Sequence, residues 1–162
     1  MDDRNYSVRK AQREDCGTIL ELMREFAEYV DLIDDLVVDR QSLETEIFEH
    51  KAAEVLIADI EKEPIGYALY FNIFSSFSGR RGVYLEDLYI SPAYRNQGYG
   101  KALLRTLAKN TVEKGFVRLE WACLNWNTLA KEFYKSIGAH PHDDSTIYRL
   151  EGSALNSFVC SS

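Results

Sequence analysis

Nowhere in the 162-residue chain does an apolar run approach the ~18 residues that a membrane-spanning helix needs. The opening residues Met1-Asp2-Asp3-Arg4-Asn5 lack the basic-then-apolar order of a secretion signal, so a soluble, cytoplasmic protein is the expectation. Cysteine is scarce. Cys16, Cys123 and Cys160 are odd in number and widely spaced, which outlines no disulfide framework, and small buried hydrophobes are expected instead. A catalytic thiol would want a nearby histidine, and His50, His140 and His142 offer no such pairing. His140-Pro141-His142 lacks the further Cys or His that a metal site requires at ligand spacing, so no metal is expected. A basic footprint is missing too. The net charge is −7 and the usual nucleic-acid-binding motifs are absent, which argues against a nucleic-acid partner. An acidic surface tolerates cationic small molecules instead.

The chain has 46% hydrophobic and 28% charged residues, a globular composition, and no repeat or linker divides it, so one domain spanning residues 1–162 is expected. Tyr6 to Ala11 alternates as a strand does. Cys16, Ile19, Leu20, Met23, Phe26, Ala27 and Val30 recur at helical spacing from Glu14 onward, and a second helix opens at Asp39 with Leu43, Ile47 and Phe48. Glu54 to Ile60 and Ile65 to Phe74 form a hairpin about Glu61-Lys62-Glu63-Pro64, and Val83 to Ile90 is a further strand. A helix follows Gly100, with Leu103, Leu104, Leu107, Ala108, Thr111 and Val112 on its apolar face and Gly115 as its stop. Val117 to Leu124 reads as a strand, with Cys123 inside it. Asn127 caps a helix running to Ile137, Gly138 stops it, and Ser145 to Leu150 closes as a strand. The order is β-α-α-β-β-β-α-β-α-β, a mixed α/β fold.

Chemistry concentrates in residues 83–114, where strand, glycine loop and helix follow one another. Gly98 and Gly100 let backbone approach a ligand, the next helix turn offers unpaired N–H groups, and Arg95 adds a cation. These are the parts of a pyrophosphate cradle. The dinucleotide fingerprint fails because Leu103 stands where its third glycine belongs. The P-loop fails because Ala102 follows Lys101 and Arg95 takes the leading position.

Arg95-x-x-Gly98-x-Gly100 resembles the acetyl-CoA signature of the GNAT (GCN5-related) N-acetyltransferases. Tyr84-Leu85-Glu86-Asp87-Leu88-Tyr89-Ile90-Ser91-Pro92-Ala93-Tyr94-Arg95 resembles the diamine (spermidine/spermine) and thialysine branch. Trp126-Asn127, Phe133-Tyr134, Gly138-Ala139 and Tyr148-Arg149-Leu150 extend the likeness from Val8 to Leu150. The resemblance implies a mostly antiparallel sheet of about six to seven strands with one splayed pair, flanked by about four helices, and a homodimer. It places acetyl-CoA against backbone of Leu88, Tyr89 and Ile90, against Arg95, Asn96, Gln97, Gly98, Tyr99, Gly100 and Lys101, and against Asn127 and Ala130. It places the acceptor amine near Tyr29, Glu86, Asp87, Glu120 and Trp121.

An alkylammonium with a pKa near 10.4 leaves only about one molecule in 2,500 nucleophilic at pH 7, a handicap of roughly 4.6 kcal/mol. A proton acceptor is therefore needed. Glu86 and Asp87 are adjacent on a strand, so they project to opposite faces. By resemblance Glu86 is the general base through water and Asp87 a supporting or substrate-facing acid. A plain alternative is that one of them marks the sheet's wet rim. Tyr134 lies seven residues beyond Asn127, nearly two helix turns, so both share a face. A phenol there could protonate the departing thiolate, or simply fill the core; the matched family block favours catalysis. Direct acetyl transfer follows, with strand N–H groups near Leu88 polarising the carbonyl.

Acceptor specificity is where the likeness loosens. Ser75-Ser76-Phe77-Ser78-Gly79-Arg80 resembles the thialysine-type members rather than the spermidine enzymes, which carry an acid and a Trp there. Val30 stands where the polyamine enzymes have Glu, and Asp143-Asp144-Ser145 where many relatives have an acid pair followed by Trp. The missing acids weaken the case for a long polyamine with several charges and leave a mono- or diamine or a lysine analogue open. Two rival readings are another GNAT specificity, such as a protein N-terminus or an aminoglycoside, and a non-catalytic acyl-CoA-binding module.

Overall fold

The alternation that begins at Tyr6 builds the first strand as expected. The structure, a computed structural model, describes residues 5–142 and 146–160. Strands β1 (Tyr6–Lys10), β2 (Glu54–Ile60), β3 (Glu63–Ser75), β4 (Arg80–Ile90) and β5 (Leu119–Trp121) form one sheet in the order β1-β2-β3-β4-β5. The first three pairings are antiparallel and β4–β5 is parallel. The mixed α/β class is as expected; the described residues hold five strands rather than six or seven. Glu61 and Lys62 both adopt positive φ and turn Ile60 directly onto Glu63, the tight turn that the hairpin's twist favours.

Helix α1 (Cys16–Tyr29) buries Cys16, Ile19, Leu20, Leu22, Met23 and Ala27 against the sheet side that carries Val55, Ile57, Tyr67 and Tyr89. Helix α2 (Arg40–Leu43), capped by Asp39 on the Ser42 N–H, runs into a wider π-type turn (Glu44–Glu49), and the pair bury Leu43 and Ile47. Helix α3 (Tyr99–Glu113) is the crossover that a parallel β4–β5 pair requires. It buries Leu103, Leu104, Leu107 and Thr111, whereas Val112, placed on that face by spacing, is 73% exposed. Gly115 stops α3 at φ +71°.

The chain divides into one compact unit ending at Ala122 and a second beginning at Cys123. The second holds α4 (Thr128–Ser136) and α5 (Gly152–Cys160). Asn127 accepts the Ala130 N–H at 3.1 Å, and Gly138 follows α4 at φ +89°, both as expected. Two expectations are corrected. The strand foreseen over Val117 to Leu124 contracts to β5, so Cys123 lies beyond it. Residues 146–150 form no strand and are exposed, so no buried face offsets the cost of ordering them; Ser145, like Asp143 and Asp144, lies outside the described residues. Cys16 is buried as expected, but Cys160 is exposed on α5, a helix the sequence reading leaves undescribed. Among the described residues no helix is long and apolar enough to cross a membrane.

Candidate active site

The β4–β5 ladder lasts only from Val83↔Leu119 to Leu85↔Trp121. Strand β4 continues to Ile90 without β5 beside it, so one edge of its last five residues, Glu86 to Ile90, opens. This is the splay expected of the fold. Ser91 N–H donates to Ile65 O at 2.8 Å, and a Cβ on Gly66 would lie 2.3 Å from Tyr89 O. Tyr89 therefore turns its backbone to β3, and alternation leaves Leu88 and Ile90 facing the open edge. The expectation that Leu88, Tyr89 and Ile90 all present backbone to a ligand is thus corrected for Tyr89. Ile90 O is already engaged by Arg95 Nε at 2.9 Å.

Beyond this edge the chain makes the glycine turn. Asn96 and Gly98 have φ of +60° and +89°, and Gly98 opens α3 with no side-chain cap. The first amides of α3 accordingly lack intrahelical acceptors and lie at the positive end of its dipole. A Cβ on Gly98 would meet nothing within 4 Å, so the space there is open for a ligand rather than filled by protein. Gln97 folds back onto Ala93 O, Lys101 is exposed on the first turn, and Gly100 packs beside Ile90. The Tyr99 ring turns inward and stacks on Tyr6 at 5.1 Å, leaving its amide alone for a ligand. Arg95 is more constrained than a simple cation at a loop entrance. Its guanidinium lies 4.1 Å from the Tyr29 ring centre and 5.2 Å from that of Tyr89. Glu25 accepts from Tyr89 Oη and Ser91 Oγ at 3.1 and 2.7 Å, tying α1 to the same loop.

On β4 the regular pleat breaks. Leu69 pairs with Asp87 and Tyr70 with Leu85, so Glu86 is an extra residue, a β-bulge. Glu86 and Asp87 consequently line the same cavity instead of projecting to opposite faces. That cavity, about 370 Å³, is walled mainly by apolar residues of α1 and the following loop, among them Met23, Phe26, Val30, Leu36 and Val38. Glu86 is exposed. Asp87 is half-buried and accepts the Tyr67 hydroxyl at 2.9 Å. Burial pushes the Asp87 carboxyl up to about 6; the Tyr67 bond opposes the rise and the nearby Glu86 charge adds to it. Tyr67, fully buried, is itself pushed far above the usual phenol value, chiefly by burial and then by Asp87.

Residues 16–139, strand, glycine turn and capped helix included, match the acetyltransferase (GNAT) family. The chain belongs to the GNAT acetyltransferases. It is 36% identical over 164 residues to a bovine protein named thialysine N-epsilon-acetyltransferase, covering 94% of this chain and 96% of the relative. Among solved structures, an integron cassette protein from the mobile metagenome of V. cholerae superposes with a TM-score of 0.82 at 27% identity, covering 96% of this chain and 98% of that one. An aminoglycoside acetyltransferase from an uncultured soil metagenomic sample shares the fold at a TM-score of 0.77 and 20% identity, covering 90% and 97%. As a GNAT member the chain is an N-acetyltransferase, and the name of the bovine relative falls within the diamine and thialysine branch read from its two sequence blocks.

The remaining expected site residues fall into two groups. Glu120 and Trp121 lie on β5, opposite Tyr84 and Leu85, with Glu120 paired to Arg118 at 3.3 Å. Neither lines the cavity, and nor does Tyr29, whose ring is taken by Arg95. In the second unit, Asn127 spends its side-chain oxygen on the Ala130 N–H. Tyr134 is half-buried against Phe133 at 5.3 Å, and burial, with Cys123 adding, pushes its hydroxyl up to about 12. Sequence reasoning missed Tyr67 as the partner of Asp87. Its only signal, one of two tyrosines in a largely apolar strand, does not say which residue lies across the ladder.

Proposed function

We propose that this GNAT enzyme transfers an acetyl group from acetyl-CoA to a small primary amine (a diamine, a polyamine or a lysine-like analogue) by direct attack on the thioester. One observation carries the reading: a carboxyl raised to about 6 sits on the inner wall of an apolar groove where the β4 edge opens. Such a group is ionised at neutral pH yet basic enough to take a proton. The proton path we assign runs from the substrate ammonium through water at the exposed Glu86 to the half-buried Asp87. Tyr67 holds Asp87 in place and stabilises its ionised form.

The open turn at Gly98 and the uncapped start of α3 suit a pyrophosphate. In this reading the amides from Asn96 to Lys101 hold it, with Arg95 alongside, while Leu88 and Ile90 backbone meets the pantetheine amides. Acetyl-CoA supplies the activated acetyl thioester. The Leu88 N–H is the candidate donor to the carbonyl oxygen as charge builds there. Tyr134, with Asn127 and Ala130 on the cofactor side, serves the leaving sulfur. Its role differs from simple proton donation. A hydroxyl near 12 facing a thiol near 8.5 makes complete transfer uphill by roughly 5 kcal/mol. Tyr134 therefore donates a hydrogen bond to the developing charge, and solvent completes the protonation. A cytoplasmic homodimer is the assembly we propose.

The test follows free-thiol release from acetyl-CoA with lysine, thialysine, putrescine, spermidine, an aminoglycoside and a short peptide. Acceleration by the small amines is expected, and Tyr134→Phe should lose much of that turnover while keeping acetyl-CoA affinity. No acceleration by any amine, with acetyl-CoA still raising the melting temperature, would reduce the protein to an acyl-CoA-binding module.

A further inference from the structure

The acceptor groove just assigned, on which this inference rests, holds a third carboxylate that neither the signature nor the catalytic scheme uses. Asp35 ends a short 3-10 turn (Ile33–Asp35) between α1 and α2 and lines the groove with Glu86 and Asp87. It is exposed, and its carboxylate has no hydrogen-bond or ion-pair partner among the described residues. Its neighbours Leu32 and Leu36 are part of the apolar wall, and among the described residues no Lys or Arg lines the cavity.

These facts constrain an acceptor whose reacting amine lies at Asp87. Its hydrocarbon body suits the apolar lining, which gives a buried charge nothing to pair with. Among the described residues that line the groove, the one charge left unused is Asp35, contributed by the loop rather than by the sheet. We propose that Asp35 selects the acceptor by the charge at its far end, favouring a second ammonium, accepting a neutral end and disfavouring a carboxylate. Because Asp35 is exposed, its effect is modest and screened by salt.

Three amines of matched reach test this: cadaverine, pentylamine and 6-aminohexanoate, with a cationic, neutral and anionic far end. We expect kcat/KM to fall in that order by about three- to fivefold per step, and the steps to shrink at high salt. Asp35→Asn should bring the three to within about twofold of one another without lowering the melting temperature, while Asp35→Glu keeps the order. Wild-type protein that treats the three alike, or an order that survives Asp35→Asn, overturns the inference and leaves the acetyltransferase reading intact. If none of the three is acetylated, the small-amine reading itself falls, and the role of Asp35 with it.

Discussion

Replacing Asp87 with asparagine should make the protein less active and more stable, with a gain that depends on pH. Burial is the main reason the carboxyl rises from 3.8 to about 6; the Tyr67 hydroxyl opposes it and the Glu86 charge adds to it. A rise of ~2 units is worth about 3 kcal/mol. The folded protein binds this proton more tightly than the unfolded chain, so stability falls as pH climbs from 3.8 to about 6 and the whole cost is present above that. Asparagine bears no such charge. Asp87→Asn should thus be close to neutral at about pH 4 and stabilising at about pH 8, by up to about 3 kcal/mol less whatever water reaching the half-buried site screens. Urea unfolding of both proteins at the two pH values reads the difference directly. In parallel, wild-type kcat/KM should rise through an acid limb near 6, and the variant should lose that limb along with roughly 100- to 10,000-fold of its rate. An equal effect on stability at both pH values, or an acid limb that survives the substitution, refutes the assignment of Asp87.

Two further substitutions probe the cofactor side. Gly98→Ala meets no atom within 4 Å, so its folding cost should be only the roughly 1–2 kcal/mol of a side chain at φ +89°. Acetyl-CoA binding by calorimetry should weaken well beyond that, whereas Gly115→Ala, equally open at φ +71°, should lose similar stability and no affinity. Tyr29→Leu removes the ring 4.1 Å from the Arg95 guanidinium, worth about 0.5–1 kcal/mol at an exposed site. It should raise the KM for acetyl-CoA a few-fold with little change in kcat; an unaltered KM would show that Tyr29 does not help to place Arg95.

Elements whose signals are local were legible in the sequence. Strand β2 matches its expected bounds, the Glu61-Lys62 turn joins it to β3, and the Asp39 and Asn127 caps sit at their helix starts. The buried faces of α1 and α3 also follow from spacing, since a 3.6-residue period marks one side of a helix. What failed depends on partners. Val117 to Leu124 has strand composition throughout, but only Leu119–Trp121 has a ladder to join, because β4 veers off after Leu85. The same holds for residues 146–150, where alternation alone orders nothing. Tyr29, Glu120 and Trp121, expected near the acceptor by family position, do not line the groove: the Tyr29 ring lies against Arg95 and the other two stand on β5 beside β4, contacts that periodicity does not reveal.

The two carboxylates show most clearly where reading residue types stops. Alternation assigns Glu86 and Asp87 to opposite faces, and in a regular ladder that assignment would hold. A bulge leaves no mark in composition, since Leu69-Tyr70 and Leu85-Glu86-Asp87 read as ordinary strand on both sides of it. It can be found only by counting partners across β3 and β4. Its effect is chemical. Glu86, the residue without a partner in the ladder, is exposed; Asp87, back in register with Leu69, is held half-buried against Tyr67 with a like charge beside it. Position in the ladder, rather than side-chain type, therefore separates the two acids. Of the two, Asp87 is the one held near the titration range that a base at neutral pH requires.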